Sequence, residues 1–100
     1  MQSQRQAAAL KMVQAYIIYS GKVQGVGFRV TVQRLAQGLD VSGWVRNLAD
    51  GRVAICAAGP QERIDQLCRN IDQHFKGYIH GKEIQFSSAR ESFKDFQITY

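Results

Sequence analysis

Residues 13–38 read VQAYIIYSGKVQGVGFRVTVQRLAQG, and the way this stretch changes period decides the fold. Val13, Ala15, Ile17 and Tyr19 alternate with Gln14, Tyr16, Ile18 and Ser20, the period-2 pattern of a strand apolar enough to be interior. After a loop holding Gly21, Gly25 and Gly27, the period lengthens. Phe28, Val32, Leu35, Ala36 and Leu39 share one helical face and Arg29, Gln33 and Gln37 another, so an amphipathic helix is expected to end near Gly38.

Working outward, VSGWVRNL (41–48) and RVAICAA (52–58) read as two strands joined through Asp50-Gly51, a strong hairpin signal because glycine accepts positive φ without a Cβ clash. Gly59-Pro60 opens a second helix, in which Ile64, Leu67, Cys68, Ile71 and Phe75 repeat at helical spacing until Lys76-Gly77 closes it. EIQFS (83–87) and FQITY (96–100) are weaker β patterns, expected as short edge strands. The order is β-α-β-β-α-β plus a short C-terminal strand. It predicts an α+β, ferredoxin-like split βαβ fold, an antiparallel sheet with two helices on one face.

One hundred residues with 45% hydrophobic content suit a single core. Residues 1–12 are expected to form a loosely ordered tail and residues 13–100 the domain. The formal charge of +5 favours anionic partners without choosing among them. Cys56 and Cys68 read as reduced core thiols of a cytoplasmic protein, and no apolar run reaches the length of a membrane span. His74 and His80 have no acidic or thiol cluster at ligand spacing, so no metal site is expected. The serines lie outside any G-x-S-x-G elbow and the cysteines lack an evident activating base, which leaves side-chain nucleophilic catalysis unsupported.

The glycine loop fails the dinucleotide fingerprint, since Val30 stands where a third glycine would, and it lacks the Gly-Lys-Ser/Thr ending of a nucleotide P-loop. Its ingredients are still those of an anion cradle: a strand, glycines that let backbone N–H groups converge, and a helix N-terminus with unpaired donors. Arg29 adds a planar fork that can grip two phosphate oxygens. Without an anion, a cation in the first turn opposes the helix dipole by roughly 0.3 to 1 kcal/mol. A solvated Arg29 on a flexible turn is the plainer alternative. Asn47, at the end of the second strand, reads equally as a turn asparagine bonded to its own backbone.

Taken together, GKVQGVGFR (21–29) and GWVRNLADG (43–51) resemble the two most characteristic motifs of the acylphosphatase family, and the similarity extends over roughly residues 13–100. The chain departs from the family pattern at Ala54, at Thr99 and in the turn KGYIHGKE. The resemblance implies hydrolysis of small acyl phosphates to a carboxylate and inorganic phosphate, without metal or cofactor. It implies that Arg29 and the backbone of Gln24, Gly25, Val26, Gly27 and Phe28 bind phosphate, and that Asn47 orients the attacking water. The expected partners are a small-molecule acyl phosphate, and inorganic phosphate as product or inhibitor; a monomer with no nucleic-acid or membrane partner is expected. Two other classes stay open at this stage: a non-catalytic phosphate-binding or regulatory domain, and a nucleic-acid-binding module on the same fold. The RVAICAA strand offers no aromatic residue for base stacking.

Overall fold

The computed structural model describes residues 12–89 and 91–100. The expected tail lies outside the described residues except for Met12, which begins the first strand. The elements are β1 (Met12–Gly21), α1 (Phe28–Gly38), β2 (Ser42–Asn47), β3 (Val53–Pro60), α2 (Gln61–His74), β4 (Ile79–Ser88) and β5 (Phe96–Ile98). They build a five-stranded sheet in the order β4-β1-β3-β2-β5. The expected α+β ferredoxin-like arrangement is the one observed.

Every strand pair is antiparallel except β2 with β5, which run parallel. The chain end therefore closes the sheet edge beside β2 rather than extending the antiparallel ladder, and the Thr99 N–H donates to the Val45 carbonyl at 2.9 Å. Strand β4 also differs from the sequence reading. It begins at Ile79, inside what reads as a turn, because β1 supplies ladder partners from Val13↔Ser88 to Gly21↔Ile79. A bulge at Ser20/Gly21 absorbs the register shift, and a Cβ at Gly81 would crowd the Ser20 hydroxyl.

Period-2 alternation sends Ala15, Ile17, Tyr19, Val45, Val53 and Ile55 toward the helices, where they meet Phe28, Val32 and Ala36 of α1 and Ile64, Leu67 and Ile71 of α2. Both helices thus cover one face. All eight residues of β3 are buried, including those pointing the other way. On that side Tyr16 and Trp44 are the cross-strand partners of Cys56, and their rings meet edge to face at 6.2 Å. Cys56 and Cys68 are free, buried thiols, the first on the sheet's open face and the second under α2. Burial pushes both thiols above their ordinary range. Among the described residues, no helix is long and apolar enough to cross a membrane.

Candidate active site

The turn from β1 into α1 is pinned at both ends by buried side chains. Val23 is fully buried where the loop begins, and Phe28 is buried where it ends, its ring 5.4 Å from Tyr19 and 4.7 Å from Phe75 by centroids. Between these anchors Gly25 and Gly27 hold φ of 79° and 78°, a region that costs an L side chain roughly 1 kcal/mol or more. A Cβ at either would meet nothing within 4 Å, so backbone conformation and not crowding calls for glycine.

Gly27 is the N-cap of α1 and offers no side-chain cap. No acidic residue stands in the first turn, and the first intrahelical bond runs from Thr31 N–H to the Gly27 carbonyl. The N–H groups of Phe28, Arg29 and Val30 are consequently left without intrahelical acceptors, at the positive end of the helix dipole. Arg29 lies in that same turn. Among the described residues it forms no ion pair; its guanidinium rests on the Tyr100 ring, 4.9 Å from the centroid.

Strand β2 ends at Asn47, which alternation sends to the same side as Val45, toward α1. Its side chain lines a pocket of about 120 Å³ together with Val23, Gly25, Gly27, Phe28, Arg29 and Val30. The Asn47 Oδ1 atom is buried and has no hydrogen-bond partner among the described residues. The bland reading of a turn asparagine bonded to its own backbone therefore fails. Hydrogen bonding in the turn is supplied by others: Leu48 N–H to the Arg52 carbonyl at 2.8 Å, and Gly51 N–H to the Leu48 carbonyl at 3.2 Å.

Of the residues expected at the site, Gly25, Gly27, Phe28, Arg29 and Asn47 come together around this pocket. Gln24 and Val26 do not line it. Val26 points its side chain outward, and the Gln24 amide turns away to donate to the carbonyls of Leu48 at 2.8 Å and Arg52 at 2.9 Å. Sequence reasoning missed Val23, Val30 and Tyr100. Val23 and Val30 flank the quoted glycines and could have been found from position alone. Tyr100 stands 71 residues from Arg29, and nothing local links them.

The lining carries one cation, one amide and backbone donors, but no carboxylate, imidazole or thiol. Such a set can bind a tetrahedral anion and orient a neutral molecule beside it; it cannot supply a side-chain nucleophile. A depression of about 150 Å³ at the far end of α1, lined by Asp40, Lys94, Asp95 and Ser42 among others, is larger. Its two carboxylates against one lysine make it the poorer anion site.

Comparison with known proteins gives the family of the chain. The acylphosphatase family model matches residues 15–98. An acylphosphatase of Bacillus velezensis is 39% identical over 90 residues, covering 89% of this chain and all of that protein. One of Chlorobaculum tepidum is 52% identical over 83 residues, covering 79% of this chain and 90% of its own length. The crystal structure of acylphosphatase from Bacillus subtilis superposes with a TM-score of 0.83 at 36% identity, over 88% of this chain and 99% of that one.

Proposed function

The chain belongs to the acylphosphatase family, hydrolases of the carboxyl–phosphate bond of acyl phosphates, and we propose that the pocket between the Val23–Phe28 loop and Asn47 is where this chain carries out that reaction. One observation carries the assignment. On a single pocket, a helix N-terminus and an arginine with no carboxylate partner among the described residues meet a buried amide oxygen that none of those residues satisfies. A buried polar atom left unpaired costs about 1 to 3 kcal/mol, and a cation in the first turn adds a further few tenths or more. A bound phosphoryl group and its attacking water would relieve both.

In this reading the Arg29 guanidinium and the N–H groups of Gly25, Gly27, Phe28 and Arg29 hold the phosphoryl oxygens and stabilise the charge that spreads over them in the transition state. Asn47 holds the water whose oxygen attacks phosphorus. As that bond forms, the bond from phosphorus to the acyl oxygen breaks and its electron pair leaves on the carboxylate. The conjugate acid of that leaving group has a pKa of about 4, so it departs without a proton. The water's proton passes to a phosphoryl oxygen, giving inorganic phosphate. Neither a general acid nor a metal is called for, in keeping with a lining that lacks carboxylate, imidazole and thiol. We further place the enzyme in the cytoplasm as a monomer acting on a small molecule, with no nucleic-acid or membrane partner. Two buried free thiols suit a reducing compartment.

The test is hydrolysis of acetyl phosphate by the purified chain in excess chelator, set beside a simple phosphate monoester. Undiminished turnover of the first and slow turnover of the second is the expected pattern, because an alkoxide leaves far less readily than a carboxylate. Recovery of lost activity only on adding a divalent ion would overturn the mechanism. Phosphate binding without turnover would make this a regulatory domain.

A further inference from the structure

We propose that Gln24 is a positioning residue for the reaction: its side-chain amide locks the turn that carries Asn47 to the loop that carries the phosphate donors, and so sets the distance between the water and phosphorus. The inference rests on the role assigned above to Asn47. Gln24 Nε2 donates at 2.8 Å to the Leu48 carbonyl and at 2.9 Å to the Arg52 carbonyl, two groups that flank the β2–β3 turn. A primary amide nitrogen carries two N–H donors, and here both are spent on one turn. The orientation is forced, since exchanging the amide's nitrogen and oxygen would set an oxygen against two carbonyl oxygens.

Leu48 follows Asn47 directly, so this tie fixes the backbone from which the Asn47 side chain projects. The tie matters more because none of the described residues hydrogen-bonds Asn47 Oδ1. Its aim depends on where β2 ends. The loop side is equally fixed, as Gln24 follows the buried Val23 and leads into Gly25 of the pocket lining. Gln24 itself stays out of the pocket. Its removal should therefore separate the two halves of the site without emptying either, and a misplacement of about 1 Å can cost as much as a hundredfold in rate.

The experiment measures acetyl phosphate turnover, with inorganic phosphate as competitive inhibitor, for Gln24→Met, Gln24→Glu, Asn47→Ala and the Gln24→Met/Asn47→Ala double variant. Met keeps the length and donates nothing. We expect Gln24→Met to lower kcat by roughly tenfold to a hundredfold while the phosphate inhibition constant stays within about twofold. The double variant should be no slower than Asn47→Ala alone, because a residue that acts through another adds nothing once that one is gone. Gln24→Glu repels the two carbonyls when ionised and donates one hydrogen bond when protonated. Its kcat relative to the parent chain should accordingly rise as pH falls from about 7 to 4, through the carboxyl's titration range. A circular-dichroism spectrum of Gln24→Glu unchanged between the two pH values separates that recovery from a pH-dependent loss of fold. A parental kcat in Gln24→Met, a parallel loss of phosphate binding, a double variant slowed by the full product of the single effects, or a flat pH ratio would each overturn the proposal. Asn47→Ala at the parental rate would instead remove the water-orienting role, and with it the premise.

Discussion

Two cations in this small domain are treated in opposite ways. Lys82 on β4 is paired with Asp72 of α2 at 2.7 Å, and the other oxygen of Asp72 accepts the Tyr19 hydroxyl at 2.9 Å. Every polar atom of that cluster has a partner within the fold. Among the described residues Arg29 has only an aromatic face, and across the pocket the Asn47 oxygen has none. The first cluster joins β1, α2 and β4 and its members satisfy one another; the second has donors and an acceptor without partners among the described residues. In the proposed reading the difference separates groups kept for stability from groups kept for chemistry, and it predicts that substitutions at the two places move different observables.

The largest effect is expected at Arg29. Arg29→Gln should lower acyl phosphate turnover by about a thousandfold or more, the scale for an arginine that stabilises phosphoryl-transfer charge. Folding should respond with the opposite sign. In phosphate-free buffer the variant should be as stable as the parent or up to about 1 kcal/mol more so, since the helix dipole no longer opposes a cation. With phosphate at about a hundred times its dissociation constant the parent gains about 2.7 kcal/mol by linkage, most of which the variant lacks. Thermal scans with and without phosphate read both. Melting far below the parent in phosphate-free buffer would move Arg29 into the structural class with Lys82.

Asn47→Ala comes next, with turnover down by roughly a hundredfold to a thousandfold and phosphate affinity nearly unchanged. Its melting midpoint should not fall, because the truncation deletes a buried atom that was already unpaired. Inhibition by inorganic phosphate together with a melting curve settles this, and weakened phosphate binding would make Asn47 a ligand for the anion.

What was legible beforehand follows the same division. The strand–glycine loop–helix unit, the Asp50-Gly51 hairpin and α2 were readable because alternation, helical spacing and turn chemistry are local properties. The start of β4 at Ile79 was not, since KGYIHG reads as a turn until β1 offers it a ladder. Nor was the parallel docking of β5, which depends on where the chain end meets β2. At the site, Gly25, Gly27, Arg29 and Asn47 were marked by their motifs, but those motifs could not say that the Gln24 side chain serves the hairpin instead of the anion. That depends on a contact across 24 and 28 residues. The Arg29–Tyr100 stack was hidden for the same reason.

The structural cluster should show the reverse pattern. Asp72→Ala takes the acceptor from a hydroxyl on a fully buried Tyr19, and leaving a buried donor unmatched costs about 1 to 3 kcal/mol. At this domain size that lowers the melting midpoint by about 4 to 8 °C per kcal/mol. The Lys82 ion pair adds little, because the Asp72 side chain is 42% exposed and water screens it. Turnover at temperatures well below the melting transition should be unchanged. A rate loss comparable with that of Asn47→Ala would break the division between the two regions.

The smallest effect is confined to alkaline pH and isolates Tyr19. Burial, followed by the nearby Cys68 and Asp72 charges, pushes its phenol far above the usual tyrosine range, so the folded protein keeps the hydroxyl protonated where an unfolded chain would lose it. The sign follows from proton counting. Below the unfolded value of about 10 both states hold the proton and stability does not depend on this group; above it the unfolded state releases a proton that the native state retains, and the native state loses ground as pH rises. By pH 11 the loss amounts to about 1.4 kcal/mol. Tyr19→Phe has no proton to lose and should be flat in this term, at a cost near neutral pH of about 1 kcal/mol for the missing hydrogen bond. Every other side chain is common to both proteins, so the difference between the two stability curves from about pH 9 to 11, measured by denaturant unfolding, isolates Tyr19. Parallel curves would mean that Tyr19 titrates alike in the folded and unfolded chain, and the cluster around Asp72 would then be open to water in the same way as the pocket beside Arg29.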